Sequence, residues 1–285
     1  MTYSKGTRVK HPSKADWGLG EVLEDSRGDL VRIFFVGVGE KSLSLKFVQP
    51  KLVPESEAAH PVLDNLKVGK SKGAIKYQSL EASKDYFLEQ YVSGFYGERF
   101  TSEERDYKVR AHELAKEFLD AGQLGNFLDS NDFDEICQRA LKVANATNLI
   151  FPNEKMALKD GLVAPGSKQQ FAVALNDVLH GTAPLQDRFN AFINVLEKIE
   201  ADKWTTASYF LFITHPDKYM FVKPTVTQHA AELCGYEIHY SPRLNWNTYN
   251  LVLRFSEYLK MELKELEPRD YIDIQSFMWA IAPST

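Results

Sequence analysis

Apolar and polar residues alternate through Leu30–Val36 and Lys41–Val48, and the break between them, Gly37-Val38-Gly39, has hairpin length. With the Trp17-Gly18-Leu19-Gly20 turn upstream, this predicts short antiparallel strands confined to residues 1–53. Residues 49–78 carry Pro50, Pro54, Pro61, Gly69 and Gly73 with little apolar periodicity, the pattern of a linker or an extended wrap. From Ser79 onward the spacing turns helical. Thr101-Ser102-Glu103-Glu104 opens a helix that should run to about Ala121, with Gly122 as its stop. Asn131 or Asp132 starts the next, where Phe133, Ile136, Ala140 and Val143 share a face. Further helices are expected at Lys168–His180, Pro184–Ile199, Thr205–Thr214, Thr225–Cys234, Asn247–Leu263 and about Tyr271–Ala282. The chain therefore reads as α+β: a β-rich domain over 1–53, a linker over 54–78 and a helical domain over 79–285.

The net charge of −5 is unevenly spread: residues 1–53 hold nine Lys/Arg against six Asp/Glu, leaving −8 for the remainder. Lys67, Lys70, Lys72 and Lys76 extend the basic end. A basic end on an acidic body suits contact with nucleic acid through one face, although a solvated linker carries the same charges. No run has transmembrane length and no signal peptide is evident, so no membrane partner is expected. The two cysteines, Cys137 and Cys234, make no disulfide framework, and a reducing cytoplasm is the expected compartment. The spacing of His229, Cys234 and His239 is not a zinc pattern. Gly37-x-Gly39 lacks the Lys-Ser/Thr and helix of a phosphate loop, and neither Gly-x-Ser-x-Gly nor His-Glu-x-x-His occurs. ATP hydrolysis, serine hydrolase and metalloprotease chemistry are poor readings, and no metal or organic cofactor is required.

Residues 6–53 carry Gly6, Val9, His11, Pro12, Asp16, Trp17, Gly18, Gly20, Val22, Phe34 and Gly39 in a pattern that resembles a Tudor/SH3-like barrel family of unknown function. The resemblance implies a small barrel attached to a DNA-handling domain. Arg8, Lys10 and Lys14 are its candidate phosphate contacts.

Chemistry is most expected between Leu196 and Gly235. A helix ending near Ile199, a short connection through Glu200–Trp204, a second helix, a loop through His215–Val222, and Lys223-Pro224-Thr225 before a third helix make one continuous layout. That layout, with Thr206-Ala207 and Val222-Lys223-Pro224-Thr225-Val226, resembles the helix-hairpin-helix DNA glycosylases over about forty residues. The resemblance implies phosphate gripping by the hairpin, with Lys203, Thr205 and Thr225 as contacts, and a catalytic position at Lys223. Two departures stand out: the hairpin lacks glycine, and Lys223 occupies the position where the family has Asp. A lysine could attack the sugar as an amine if burial lowered its pKa, hold a phosphate near a helix N-terminus, or simply lie exposed in a loop.

Asp273, in the apolar run Ile272–Trp279, is a candidate for the missing carboxylate; the alternative is that it assists capping or pairs with Arg269. A flipped base needs stacking and hydrogen-bonding groups, and Trp204, Tyr219, Gln228, Asn245, Trp246 and Gln275 are the candidates. The reading that follows is a monomeric bacterial DNA glycosylase acting on duplex DNA. Its likeness to glycosylases used against phage implies a modified cytosine as substrate. The competing reading is a non-catalytic DNA-binding or scaffold protein of a defence or restriction system, and a nuclease or ligand-triggered effector ranks last.

Overall fold

The computed structural model describes residues 2–67 and 77–282. Gly69, Lys70, Lys72, Gly73 and Lys76 lie outside the described residues. The chain divides into two compact units, one of residues 1–90, 228–238 and 281–285, the other of 91–227 and 239–280.

In the first unit, β1 (Arg8–Lys10), β2 (Leu19–Val22), β3 (Leu30–Phe35), β4 (Gly39–Ser44) and β5 (Lys51–Leu52) form one antiparallel sheet in the order β4-β3-β2-β1-β5. The β3–β4 hairpin pairs Phe35 with Gly39 and Leu30 with Ser44, so the second strand starts at Gly39, inside the expected break, and ends at Ser44 instead of reaching Val48. Gly39 closes it at φ +69, a backbone conformation that side chains resist. Val31, Ile33 and Phe35 point to one face and pack with Tyr3, Val9, Val22 and Leu43. Gly20 is needed opposite Phe35, whose ring would lie 2.6 Å from an added Cβ.

The first unit also holds α1 (Pro61–Asp64) and α2 (Leu80–Gln90), and it gathers a distant segment. The Lys67 amide donates to the Gly235 carbonyl at 3.1 Å, Glu237 to Asn65 at 2.7 Å and Gln78 to Leu233 at 2.8 Å. Tyr77 sets its ring edge-on to Phe34 at 4.7 Å and donates its hydroxyl to the Val36 carbonyl. Residues 54–67 and 77–78 are thus hydrogen-bonded into the first unit.

The second unit is helical. A continuous helix begins as α3 (Glu98–Phe100), passes through a π-type turn at Thr101–Arg105 and continues as α4 (Asp106–Phe118). It ends before Ala121, because Asp120 accepts the Gly122 and Gln123 amides and starts α5 (Ala121–Asp129). Gly122 is therefore in the first turn of a new helix, not a stop. Next come α6 (Phe133–Asn145), capped by Asp132, and α7 (Pro152–Gly161), which begins with Pro152 at its first position. Then follow α8 (Ser167–His180), α9 (Leu185–Lys198), α10 (Trp204–Thr214) and α11 (Pro224–Leu233), whose residues from 228 onward belong to the first unit. The last are α12 (Trp246–Glu262) and α13 (Tyr271–Ile281). Every residue of α10 is buried, which explains its apolar character on all sides. Among the described residues no helix is long and apolar enough to cross a membrane.

Candidate functional site

From α9 to α11 the chain runs helix, short connection, helix, loop and helix. Five residues join α9 to α10, and Glu200 takes φ +57 where a glycine would be free of strain. The Glu200, Ala201 and Lys203 amides donate to the carbonyls of Glu197, Leu196 and Ala201, so these three point into the turn itself. Beyond α10 the loop is tied at two points. The Val222 amide donates to the Ser208 hydroxyl at 2.9 Å, and the Tyr249 hydroxyl donates to the Met220 carbonyl at 3.2 Å. These bonds fix Lys223 at the head of α11.

The Lys223 ammonium sits between two aromatic rings, 5.0 Å from the centre of Phe151 and 4.8 Å from that of Trp279. Both rings are exposed, at 47% and 46%, while the lysine is half-buried. No carboxylate among the described residues forms an ion pair with it. Burial lowers its pKa; the charges of Glu154 and Glu104 work the other way. Glu154 closes the start of α7 by accepting the Phe151 amide at 3.0 Å, and it accepts the Thr205 hydroxyl at 2.8 Å.

Behind this clamp lies Lys108, wholly buried, donating to Ser276 at 2.8 Å and Glu104 at 3.2 Å. Burial pushes its pKa from the usual 10.5 to about 8; Glu104 and Asp273 oppose the shift and Lys223 adds to it. Asp273 and Lys223, both singled out in the sequence, thus flank one buried ammonium. Asp273 is fully enclosed. It accepts from Arg105 at 2.8 Å, from the Arg269 guanidinium at 2.9 and 3.1 Å, and from the Arg269 amide at 2.9 Å. Arg105 also makes a bidentate pair with Asp270 at 2.7 and 2.8 Å. The pairing with Arg269 is the alternative weighed for Asp273, and its oxygens are saturated by it.

The other sequence candidates are dispersed. Asn245 and Trp246 line a cavity of about 580 Å³ together with Asn190, Asn194 and Arg243, whereas Lys223 and Asp273 do not line it. Asn245 also caps α12 by accepting the Thr248 amide at 2.8 Å. Trp204 is buried, its indole donating to the Ser241 carbonyl at 2.8 Å. Tyr219 is half-buried with its ring 5.9 Å from that of His215. Gln228 lies in the first unit, on α11. Gln275 is 4% exposed, and its Oε1 has no hydrogen-bond partner among the described residues. It precedes Trp279 by four residues on α13 and so shares its face.

Of the phosphate candidates, Lys14, Lys203 and Thr225 are exposed. Lys10 pairs with Glu57 at 3.3 Å, and Arg8 is held by Glu21 and Asp64 at 2.9 and 2.8 Å. Thr205, 1% exposed and bonded to Glu154, offers no surface to a phosphate.

Sequence reasoning passed over Glu104, Lys108, Phe151, Glu154 and Trp279. Phe151-Pro152-x-Glu154 is a readable helix start. The exposure of Trp279 within an apolar helix has no such signal.

Residues 3–53, which include the whole sheet, match the model of a family described as "Protein of unknown function (DUF3553)". No curated protein and no solved structure matches the chain. What is similar to a known family is therefore the sheet-bearing segment, and the helical unit is characterised by its own geometry.

Proposed function

We propose that this chain is a DNA glycosylase that cleaves the N-glycosidic bond of an extruded nucleotide through the amine of Lys223. The observation that carries the reading is the Lys223 clamp: a partly desolvated amine without an ion pair among the described residues, held between two exposed rings at the head of α11. Exposed aromatic faces suit stacking on an unpaired base. A lowered lysine pKa raises the fraction of nucleophilic free amine.

In this mechanism the free amine bonds to C1′ of the sugar as the C1′–N bond breaks, and the bonding pair leaves with the base. The proton shed by the amine passes through Glu154 to the departing base. The sugar ring then opens to an imine on Lys223, which water hydrolyses. Asp273, held by two guanidinium groups, fixes α13 and does not touch substrate. By the resemblance of the barrel and helical-domain combination to glycosylases used against phage, the base is a modified cytosine of phage DNA. Exposed Lys14, Lys203 and Thr225 supply phosphate contacts.

The competing reading, a non-catalytic DNA-binding protein, is favoured by one observation: three hairpin amides are engaged within the turn itself. The two separate when the protein is incubated with ordinary and hypermodified phage DNA and the products are tested for alkali-labile sites. Cleavage with a borohydride-trapped adduct that disappears in Lys223→Ala supports the amine route. DNA binding without abasic sites on either substrate refutes the glycosylase reading.

A further inference from the structure

The carboxyl ends of α4, α8 and α10 meet at a second cavity, of about 400 Å³, lined by His112, Lys116, Asp120, His180, Thr214 and His215. Each end is closed by a histidine from another of the three helices. His112 of α4 bonds the Ile213 carbonyl of α10 through Nδ1 at 2.7 Å. His180 of α8 bonds the Leu119 carbonyl, just past α4, through Nε2 at 2.7 Å. His215, just past α10, bonds the Leu179 carbonyl of α8 through Nε2 at 3.1 Å. The caps form a closed cycle.

A carbonyl can only accept, so each imidazole carries its proton on the nitrogen facing that carbonyl. The remaining nitrogens, His112 Nε2, His180 Nδ1 and His215 Nδ1, bear lone pairs while the rings are neutral. Three helix carboxyl ends add partial negative charge to the same place. Asp120 adds a carboxylate, with Oδ1 engaged by the first amides of α5. Lys116 is turned to Glu113 at 3.4 Å on the exposed rim. The enclosed hydroxyl of Thr214 has no hydrogen-bond partner among the described residues, although a threonine in a last helical turn ordinarily bonds back to its own helix. The wall is therefore rich in acceptors and holds one orphaned polar atom.

We propose that this cavity binds a small organic ammonium ion, such as a short diamine, independently of the Lys223 clamp. Among the described residues no group of three or more His, Cys, Asp or Glu is arranged to hold a metal ion, which directs the inference to an organic cation that hydrogen-bonds along the wall. The ammonium donates to the imidazole nitrogens and the Thr214 hydroxyl, and Asp120 balances its charge. Binding requires neutral rings. Burial and the neighbouring His180 hold the His215 pKa below its usual value, with Lys218 acting in the same direction and Asp217 and the Leu179 carbonyl opposing. Acidification therefore loads positive charge onto the wall and expels the ligand.

Calorimetric titration of the full chain with 1,4-diaminobutane, with 1,4-butanediol as uncharged isostere, tests this. The diamine should bind and the diol should not. Affinity should fall as the pH is lowered from about 8 into the acid range, where the His215 ring gains its proton. Thr214→Val removes a hydroxyl that has no internal partner, and Asp120→Asn keeps the cap of α5, so both variants should fold; each should weaken the diamine about ten-fold. No diamine binding, equal binding of the diol, or unchanged affinity in both variants would overturn the proposal. So would stoichiometric Zn²⁺ binding with shifts of all three histidine rings, which would make the cavity a metal site.

Discussion

The Ser208 hydroxyl accepts the amide hydrogen of Val222 at 2.9 Å while donating its own hydrogen to the Trp204 carbonyl at 2.6 Å. One small polar side chain on a wholly buried helix thereby holds the loop that carries Lys223. Both partners are buried, so loss of the hydroxyl strands the Val222 amide without water. Ser208→Ala should lower the unfolding free energy by about 1–3 kcal/mol, the cost of an unsatisfied buried donor. Urea denaturation checks the magnitude. Borohydride trapping should fall by more than the unfolded fraction explains, and Ser208→Thr, which keeps the hydroxyl, should restore part of it.

Lys108 makes stability depend on alkaline pH. Its folded pKa of about 8 lies below the unfolded 10.5, so between these values the unfolded chain holds more protons. Stability should therefore rise as pH increases through that window, and below about 8 the full cost of the buried charge is present. A buried tyrosine such as Tyr249, whose pKa is raised, contributes the opposite slope at the upper end. The informative quantity is thus the difference between the native chain and Lys108→Met in denaturant midpoints from pH 8 upward. That difference should narrow with rising pH if the native lysine is the titrating group.

Asp273 answers to two guanidinium groups; without it Arg105 keeps Asp270, but Arg269 loses its carboxylate partner beside an enclosed site. Asp273→Ala should cost about 3–5 kcal/mol, as for other broken buried ion pairs. Asp273→Asn keeps the shape but not the charge and should lie between. Were Asp273 to act on substrate, Asp273→Asn would abolish base release at temperatures where the variant is folded. The saturated geometry predicts instead that the folded fraction retains activity.

The sequence made the β3–β4 hairpin legible because period-two alternation and a Gly-containing break are local signals, while its register, with Gly39 paired to Phe35, puts the turn at residues 36–38, one residue earlier than the break suggested. The α9–α10–α11 succession was equally readable, since the polar breaks around Glu200 and Asp217 interrupt otherwise apolar runs. What escaped was set by distant chain. α5 hides behind Gly122, which looks like a stop until Asp120 is seen capping it. The Lys223 clamp needs Phe151 and Trp279, which lie on α7's entry and α13, far from the lysine in sequence. Lys108 reads as a solvated helix residue among Asp106 and Arg110, and only packing against Ser276 encloses it. Asn245 and Trp246 were singled out together and do share a cavity, because they are adjacent in the chain.

Two helix glycines should respond to alanine with opposite signs. Gly125 lies within α5, and an added Cβ there meets nothing within 4 Å. Gly125→Ala should stabilise by about 0.5–1 kcal/mol, because alanine surrenders less backbone freedom on entering a helix. Gly161 ends α7 against the turn between α9 and α10, where a Cβ would stand 2.1 Å from the Ile199 carbonyl oxygen and 2.9 Å from the Ile199 Cβ. The same propensity gain is available there, but backbone must move to accept the methyl group, at a cost of about 1–3 kcal/mol. Gly161→Ala should therefore destabilise, and because Ile199 leads into the strained Glu200, the displacement should reach the hairpin. Urea midpoints with unchanged slope test both signs. Weaker DNA binding by Gly161→Ala, at a temperature where it is fully folded, would show that the hairpin geometry matters for contact. Unaltered binding would separate any DNA contact from the α9–α10 turn.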